Sequence, residues 1–189
     1  IRFFSLFFGV LAVPAAFKLL ERLHSRMAGL PAALLATLSP FWVYYSQEAK
    51  MYAQTAFFVL LAGYLFLRIF DQDNKKRSVW AYAGYGLVSA AAVYTHYFAI
   101  FAILAHGAYL LAFRRLWPHI RPWLATQALA AALVLPWAAY ALSAMAWAGS
   151  SVKRGSIGMD AIVPQLYRVF TAGPSLQGDL VSWALVGAA

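Results

Sequence analysis

Apolar runs of roughly 18 residues recur along the chain, and short charged segments separate them. At about 1.5 Å of rise per residue, each run is long enough as a helix to cross a hydrocarbon layer of about 30 Å. Hydrophobic residues make up 63% of the chain and charged residues only 11%, whereas roughly 25% of the residues in an ordinary globular domain are charged. The sequence therefore predicts an all-α fold, a polytopic membrane helical bundle.

We expect about seven transmembrane spans in a single membrane-embedded domain over residues 1–189. The stretch 79–113 needs a turn near 94–97, because as one helix it would run roughly 50 Å. A long loop is expected at about 143–175; loops of that length usually bind or gate something, and disorder is the alternative. The chain starts at Ile1 and stops inside an apolar run, which we interpret as an internal piece of a longer protein. The predicted spans are 3–20, 29–45, 53–70, 79–95, 97–113, 123–142 and a truncated 176–189.

The net charge of +9 does not indicate a nucleic-acid partner, because the basic residues are spread over short loops. Short cytoplasmic loops of membrane proteins are enriched in Lys and Arg, and this enrichment records orientation. One set of loops and span ends carries five basic residues, and we place it outside: Arg2, Lys50, Lys153, Arg154 and Arg168. The opposite set carries ten and is predicted to be cytoplasmic: Lys18, Arg22, Arg26, Arg68, Lys75, Lys76, Arg77, Arg114, Arg115 and Arg121.

The segment 39–54 places ionisable and amide side chains between two apolar runs, on the predicted outer side. Ionisable groups at membrane depth are costly, so they indicate function by default. We expect a helix starting at Ser46 as N-cap, with Glu48 in its first turn. On such a helix Glu48 and Lys50 would lie about 200° apart and would not pair. The alternatives are that Glu48 is only a helix-start carboxylate and that Lys50 only reaches into lipid headgroups.

A second polar turn surrounds His96, flanked by Thr95 and Tyr97. Neutral imidazole can bind a metal or hydrogen-bond a substrate, and the alternative is a hydrated histidine at the interface. His106 is predicted to be a packed histidine within a span. No cysteine is present, which excludes disulfides and thiolate metal sites within this sequence. From the residues alone, the chain has a polar outer site with an amine, a carboxylate and an imidazole, and no identified reaction.

The run Leu38–Tyr52 resembles the "SP…YSQEARMY" signature of bacterial membrane glycosyltransferases of the GT-C superfamily, family 39-like, which are related to protein O-mannosyltransferases and to the aminoarabinose transferases of lipid A. Three further elements agree in order and spacing. Residues 94–98 resemble the family's "YTHYF" element, 2–14 its first "RLPS…GV…VP" helix, and 135–137 its "LPW".

The resemblance implies transfer of a sugar from a polyprenyl-phosphate donor to a lipid, glycan or protein acceptor, with inversion, at the outer face of the cell inner (plasma) membrane. It implies a general-base Asp in an outer loop that would precede Ile1, so the chain alone is expected to be inactive. Lys50 stands where the family usually has Arg, which keeps the charge but loses the bidentate fork. The residues carried over as substrate-binding are Gln47, Glu48, Lys50, Tyr52, His96 and Tyr97.

Glu48 and His96 are the candidate ligands if the enzyme uses a divalent cation; no cofactor is otherwise expected. Two other classes of function remain open from the sequence. A polyprenyl-lipid transporter or flippase would be favoured by broken helices at matching positions in two halves. A noncatalytic membrane scaffold would be favoured if Glu48, Lys50 and His96 all tolerated alanine.

Overall fold

The computed structural model describes residues 2–70 and 75–148, and within this part the chain is entirely helical apart from short connections. Two short 3-10 helices, Tyr97–Ala99 and Arg114–His119, precede the last two α-helices. This confirms the predicted all-α fold. The α-helices are α1 (Arg2–Leu23), α2 (Arg26–Leu38), α3 (Pro40–Gln47), α4 (Tyr52–Arg68), α5 (Lys75–Thr95), α6 (Ile100–Ala112) and α7 (Ile120–Ala148).

With the bent pair α2–α3 taken as one segment, successive helices alternate in direction, so the described connections between them gather at two ends of the bundle. α1 packs against α2, α3 and α4, while α5 packs against α4 and α7. The end of α3, the start of α4 and the turn after α5 lie at one end, which we call the site end. The ends of α1, α4 and α6 lie at the other, which we call the basic end because most of the basic residues predicted to be cytoplasmic lie there.

The predicted span 29–45 is broken into two helices. α2 and α3 meet at an angle of 59°. Ser39 caps α3, since its Oγ accepts a hydrogen bond from the Trp42 N–H at 3.4 Å, and Pro40 occupies the first helical position. Pro is favoured there because its missing N–H would have no helical partner, and its ring prevents α2 from continuing. The Ser-Pro pair therefore ends one helix and starts the next.

The other predicted boundaries within the described residues hold, with one adjustment. α5 ends at Thr95, which confirms the turn predicted at 94–97. α7 continues to Ala148, so residues 143–148, which were expected in the loop of about 143–175, are helical; Ala, which fills much of this stretch, is the strongest helix former. The Leu135–Trp137 element lies inside α7, within the predicted span 123–142. The predicted seventh span and the rest of that loop lie outside the described residues.

Two of the described helices are long and apolar enough to cross a membrane, Arg2–Leu23 and Arg114–Ser143, and the bent pair α2–α3 would make a third. Tyr52–Arg68 and Tyr97–Ala112 are apolar but shorter. Six of the predicted spans fall in this part of the chain, and two or three of them meet the length and apolarity of a membrane-crossing helix, while α4 and α6 fall short of the usual 20 or so residues. The chain remains a bundle of apolar helices, as expected of a membrane protein.

A hydrogen-bonded group of aromatic side chains joins α4, α5, α6 and α7. Tyr85 on α5 is fully buried, and its hydroxyl lies 3.1 Å from Nδ1 of His106 on α6. Nε1 of Trp123 on α7 donates to the same hydroxyl at 3.2 Å. His106 also stacks on Phe66 of α4, with ring centroids 4.4 Å apart. His106 is thus a packed histidine bonded to a neighbouring helix, as predicted.

Candidate active site

The segment that joins α3 to α4 is a tight bend and not the start of a helix. Glu48 follows the last residue of α3 with extended backbone angles, φ −77° and ψ 137°. The Lys50 N–H then donates to the Glu48 carbonyl at 2.8 Å, which closes a three-residue turn. Ser46 belongs to the last turn of α3, where its Oγ donates to the Val43 carbonyl at 2.8 Å. The predicted helix with Ser46 as its N-cap is therefore wrong.

Glu48 and Lys50 form an ion pair, with Nζ of Lys50 2.6 Å from Oε1 of Glu48. The prediction that they would not pair is wrong because it placed both residues on one helix. The bend brings the two side chains to the same side. The hydrogen bond from Lys50 to Glu48 raises the pKa of the ammonium above its usual value. Lys50 is therefore a full positive charge at neutral pH, on a side chain that is 53% exposed.

Glu48 lies at the C-terminal end of α3, the end at which a helix dipole disfavours negative charge. The interpretation of Glu48 as a carboxylate stabilised by a helix start is therefore wrong. Its Oε1 is balanced by Lys50, whereas its Oε2 is buried and has no hydrogen-bond partner among the described residues. A buried carboxylate oxygen without a donor is costly. This oxygen is thus the most direct sign in the bend of a place for a ligand hydroxyl or a cation.

α1 fixes the position of the bend. Ser5, which is 3% exposed, donates through Oγ to the Lys50 carbonyl at 3.1 Å. One turn further along α1, the Gly9 carbonyl accepts from Nε1 of Trp42 at 3.2 Å. A Cβ at Gly9 would overlap the Cβ of Ser46, so α1 and α3 approach this closely only because Gly9 has no side chain. The bend is therefore held by three contacts with one helix.

His96 joins the same site from the turn after α5. Its ring centroid lies 6.1 Å from that of Tyr52 and 4.9 Å from that of Tyr97. Nδ1 of His96 accepts a hydrogen bond from the Phe98 N–H at 3.2 Å and thereby caps the 3-10 helix. With Nδ1 accepting, the proton of the neutral ring is on Nε2. His96 therefore offers a hydrogen-bond donor, and metal binding through Nε2 would require the other tautomer and loss of the cap.

An aromatic cavity of about 250 Å³ opens beside the bend. Tyr45 and Tyr52, which both line it, meet edge to face, with ring centroids 4.9 Å apart. Nζ of Lys50 lies 5.8 Å from the centroid of the Tyr52 ring, so the charged group and the cavity share one wall. Aromatic surfaces of this kind suit the faces of sugar rings and isoprenoid chains. The cavity is lined by Phe41, Trp42, Tyr45, Tyr52, Ala53 and Ala56.

The structure brings together most of the side chains predicted to bind substrate. Ring contacts and the ion pair connect Glu48, Lys50, Tyr52, His96 and Tyr97 in one continuous set. Gln47 is exposed at the last position of α3. Within residues 2–70 and 75–148, no group of three His, Cys, Asp or Glu side chains is placed to hold a metal ion. The role of Glu48 and His96 as metal ligands stays a prediction.

A family model described as dolichyl-phosphate-mannose-protein mannosyltransferase matches residues 1–140. The chain belongs to this family. It is therefore a membrane glycosyltransferase of the GT-C type, and the match covers the whole of the site described above. No curated protein and no solved structure shows significant similarity to the chain.

Sequence reasoning missed the parts of this mannosyltransferase-family site that depend on contacts between helices. Ser5 and Gly9 support the bend from α1. Ser5 lies 45 positions before Lys50 in the sequence, and Gly9 lies 33 and 37 positions before Trp42 and Ser46. Tyr45 and Trp42 carry no local signal in the sequence beyond the enrichment of aromatic residues that is usual at a membrane boundary. The Ser39–Pro40 pair was the one local signal that could have located the helix break.

Proposed function

We propose that the chain is part of an enzyme that moves a sugar from a polyprenyl-phosphate donor to a lipid, glycan or protein acceptor at the outer face of the cell inner membrane. The proposal rests on family membership together with the charged bend. The observation that carries it is Lys50, a cation with an exposed side chain that is held beside the aromatic cavity by Glu48 and Tyr52. An ammonium in this position suits a phosphate ester whose hydrophobic tail lies in the bilayer.

In the proposed reaction the acceptor oxygen attacks the anomeric carbon, and the bond from that carbon to the phosphate oxygen breaks. The acceptor proton passes to a base, for which we propose the aspartate that the family resemblance implies upstream of Ile1. The polyprenyl phosphate leaves with the bonding electrons, and Lys50 stabilises the negative charge that develops on it. Glu48, through an Oε2 that has no partner among the described residues, and His96, through Nε2–H, orient the acceptor. A divalent cation, where the enzyme uses one, would be held by Glu48, and by His96 only in the other tautomer.

The direct test is sugar transfer by the full-length protein with a polyprenyl-phosphate-linked donor. We expect Lys50→Ala to lower kcat/KM by about tenfold to a hundredfold, since a hydrogen bond to a charged group contributes about 1.5–3 kcal/mol. Lys50→Arg should keep most of the activity, since it keeps the charge and restores the fork found in relatives. Lys18→Ala, which removes a lysine that is paired with Glu21 at 2.7 Å, is the matched control.

Equal kcat and donor KM for Lys50→Ala and the wild-type protein would remove the phosphate role of Lys50. The same assay separates the enzyme from the other two classes of function. A flippase would move the donor lipid across the bilayer without cleaving its phosphate ester, and a scaffold would do neither.

A further inference from the structure

A second polar pocket lies at the basic end of the bundle, away from the candidate active site. Its volume is about 280 Å³, and it lies where α4 ends and the 3-10 helix Arg114–His119 joins α6 to α7. It is lined by Phe70, Tyr109, Arg115, Leu116 and His119. Arg115 and His119 thus line a cavity whose other described walls are aromatic or aliphatic.

His119 is held in a fixed orientation in this pocket. Its Nδ1 lies 3.0 Å from the hydroxyl of Tyr82 on α5. Its ring meets the ring of Phe70 edge to face, at 5.1 Å and 86°. The hydrogen bond engages Nδ1 and leaves Nε2 as the ring nitrogen that can meet a ligand, while the contact with Phe70 fixes the plane of the ring. A histidine oriented in this way is a preformed hydrogen-bonding group and needs little ordering when a ligand binds.

Arg115 forms no ion pair with any carboxylate of the described residues. Its neighbour Arg114 is differently placed, with its guanidinium 5.4 Å from the ring of Trp117. The two described acids that form ion pairs, Glu21 and Glu48, are bound to Lys18 and Lys50. Arg115 therefore brings a planar fork of donors to the pocket with its charge unbalanced by the described part of the chain, a geometry that matches two oxygens of one phosphate.

The surroundings of the pocket favour a phosphate that is carried by a lipid. Trp117, 48% exposed, donates through Nε1 to the Leu111 carbonyl at 3.3 Å, and an exposed tryptophan at a helix end is typical of the membrane interface. Phe70, Tyr109 and Leu116 give the pocket apolar walls that a glycerol backbone and the start of an acyl chain can contact. Basic pockets between transmembrane helices on the cytoplasmic side are suited to anionic headgroups.

We propose that this pocket binds the phosphate of an anionic phospholipid, with Arg115 on two phosphate oxygens and Nε2 of His119 on a third. The site is separate from the transfer reaction, lies at the opposite end of the bundle and ties the connection between α6 and α7 to the lipid headgroups. Binding there stabilises the folded protein, because the ligand has no comparable site in the unfolded chain.

The test is thermal unfolding of the purified full-length protein in detergent, titrated with phosphatidylglycerol, with phosphatidylcholine and with inorganic phosphate. We expect phosphatidylglycerol to raise Tm, and phosphatidylcholine and inorganic phosphate to leave it unchanged. We expect Arg115→Gln to weaken its apparent affinity by about tenfold or more, the effect of losing a charge-assisted hydrogen bond. Arg121 carries the same charge at the same end of the bundle but is not among the residues that line the pocket. Arg121→Gln should therefore leave the affinity within about twofold of wild type.

Equal losses for Arg115→Gln and Arg121→Gln would mean diffuse attraction and no site, and would overturn the proposal. A Tm increase of the same size with inorganic phosphate would identify a free-phosphate site and overturn the lipid assignment. Asp71 and Asp73 lie outside the described residues, so D71N and D73N are included. Tm is compared for these variants and Arg115→Gln in detergent without lipid. If Arg115→Gln and one of the aspartate variants lower Tm by the same amount there, Arg115 serves an internal ion pair and the proposal fails. His119→Gln, expected to weaken lipid binding while Arg115 is intact, is the second variant.

Discussion

Glu48 and Lys50 stand out at the scale of single residues because stability does not explain them. An exposed ion pair contributes little to folding, since water screens it and two flexible side chains must be ordered. Here the pair also places a carboxylate at the unfavourable end of α3 and leaves Oε2 of Glu48 buried without a donor among the described residues. Charges that are arranged against local stability in this way are typical of sites that bind a ligand.

His96 is predicted to have two separable roles, as a helix cap and as a donor through Nε2. His96→Asn should keep the cap, because Asn is among the best N-cap residues, and should remove the ring N–H. We expect this variant to unfold at nearly the wild-type temperature and to lose at least about tenfold in kcat/KM. His96→Ala should lose activity and also about 0.5–2 kcal/mol of stability. Thermal unfolding and the transfer assay together measure both effects.

A His96→Asn variant with full activity would limit His96 to capping the 3-10 helix. The tautomer of His96 also allows a test of the prediction that His96 binds a metal. Because Nδ1 accepts from the Phe98 N–H, we expect transfer to continue after treatment with a chelator. Loss of transfer on chelation would contradict this expectation.

At the scale of helices, the position of the bend depends on the close approach of α1 and α3. Gly9 makes this possible, and we expect Gly9→Ala to destabilise the protein by about 1–3 kcal/mol, because the new methyl group overlaps Ser46. Gly84→Ala is the matched control, since a Cβ there meets Leu65 at 3.5 Å, an ordinary contact. That change should be neutral or stabilising by about 0.5–1 kcal/mol, since alanine is the better helix former.

Thermal unfolding in detergent compares the two variants. A Gly9→Ala protein as stable as Gly84→Ala would show that α1 and α3 can separate without cost. In that case Ser5 and Gly9 would not hold the bend, and the account of how Lys50 is positioned would be wrong.

The helices themselves could be predicted from the sequence, whereas the connections that form the site could not. Runs of apolar residues are a local signal, and each of the first six predicted spans corresponds to a helix or a helix pair. The bend at Glu48 depends on Ser5, 45 positions away from Lys50 in the chain, and on the space left by Gly9. Periodicity along one helix does not record such contacts, and for this reason Ser46 was wrongly placed at a helix start.

At the scale of the whole molecule, the alternating helices separate two chemically different ends. The site end carries the ion-paired bend and the His96 turn, and the basic end carries most of the arginines that the sequence grouped together. The grouping came from the distribution of charge among loops, and the helix directions agree with it. Which end faces the cytoplasm follows from the enrichment of Lys and Arg in cytoplasmic loops, and it remains the central prediction of the proposed function.

Cysteine labelling in intact cells tests this orientation most directly. The sequence contains no cysteine, and Ala49 in the bend and Ala112 at the end of α6 are both exposed, so the same Ala→Cys change can be made at each end. We predict that a membrane-impermeant maleimide labels Ala49→Cys from outside and labels Ala112→Cys only after the membrane is permeabilised. Labelling of Ala112→Cys in intact cells, with Ala49→Cys protected until permeabilisation, would contradict a transferase that acts at the outer face.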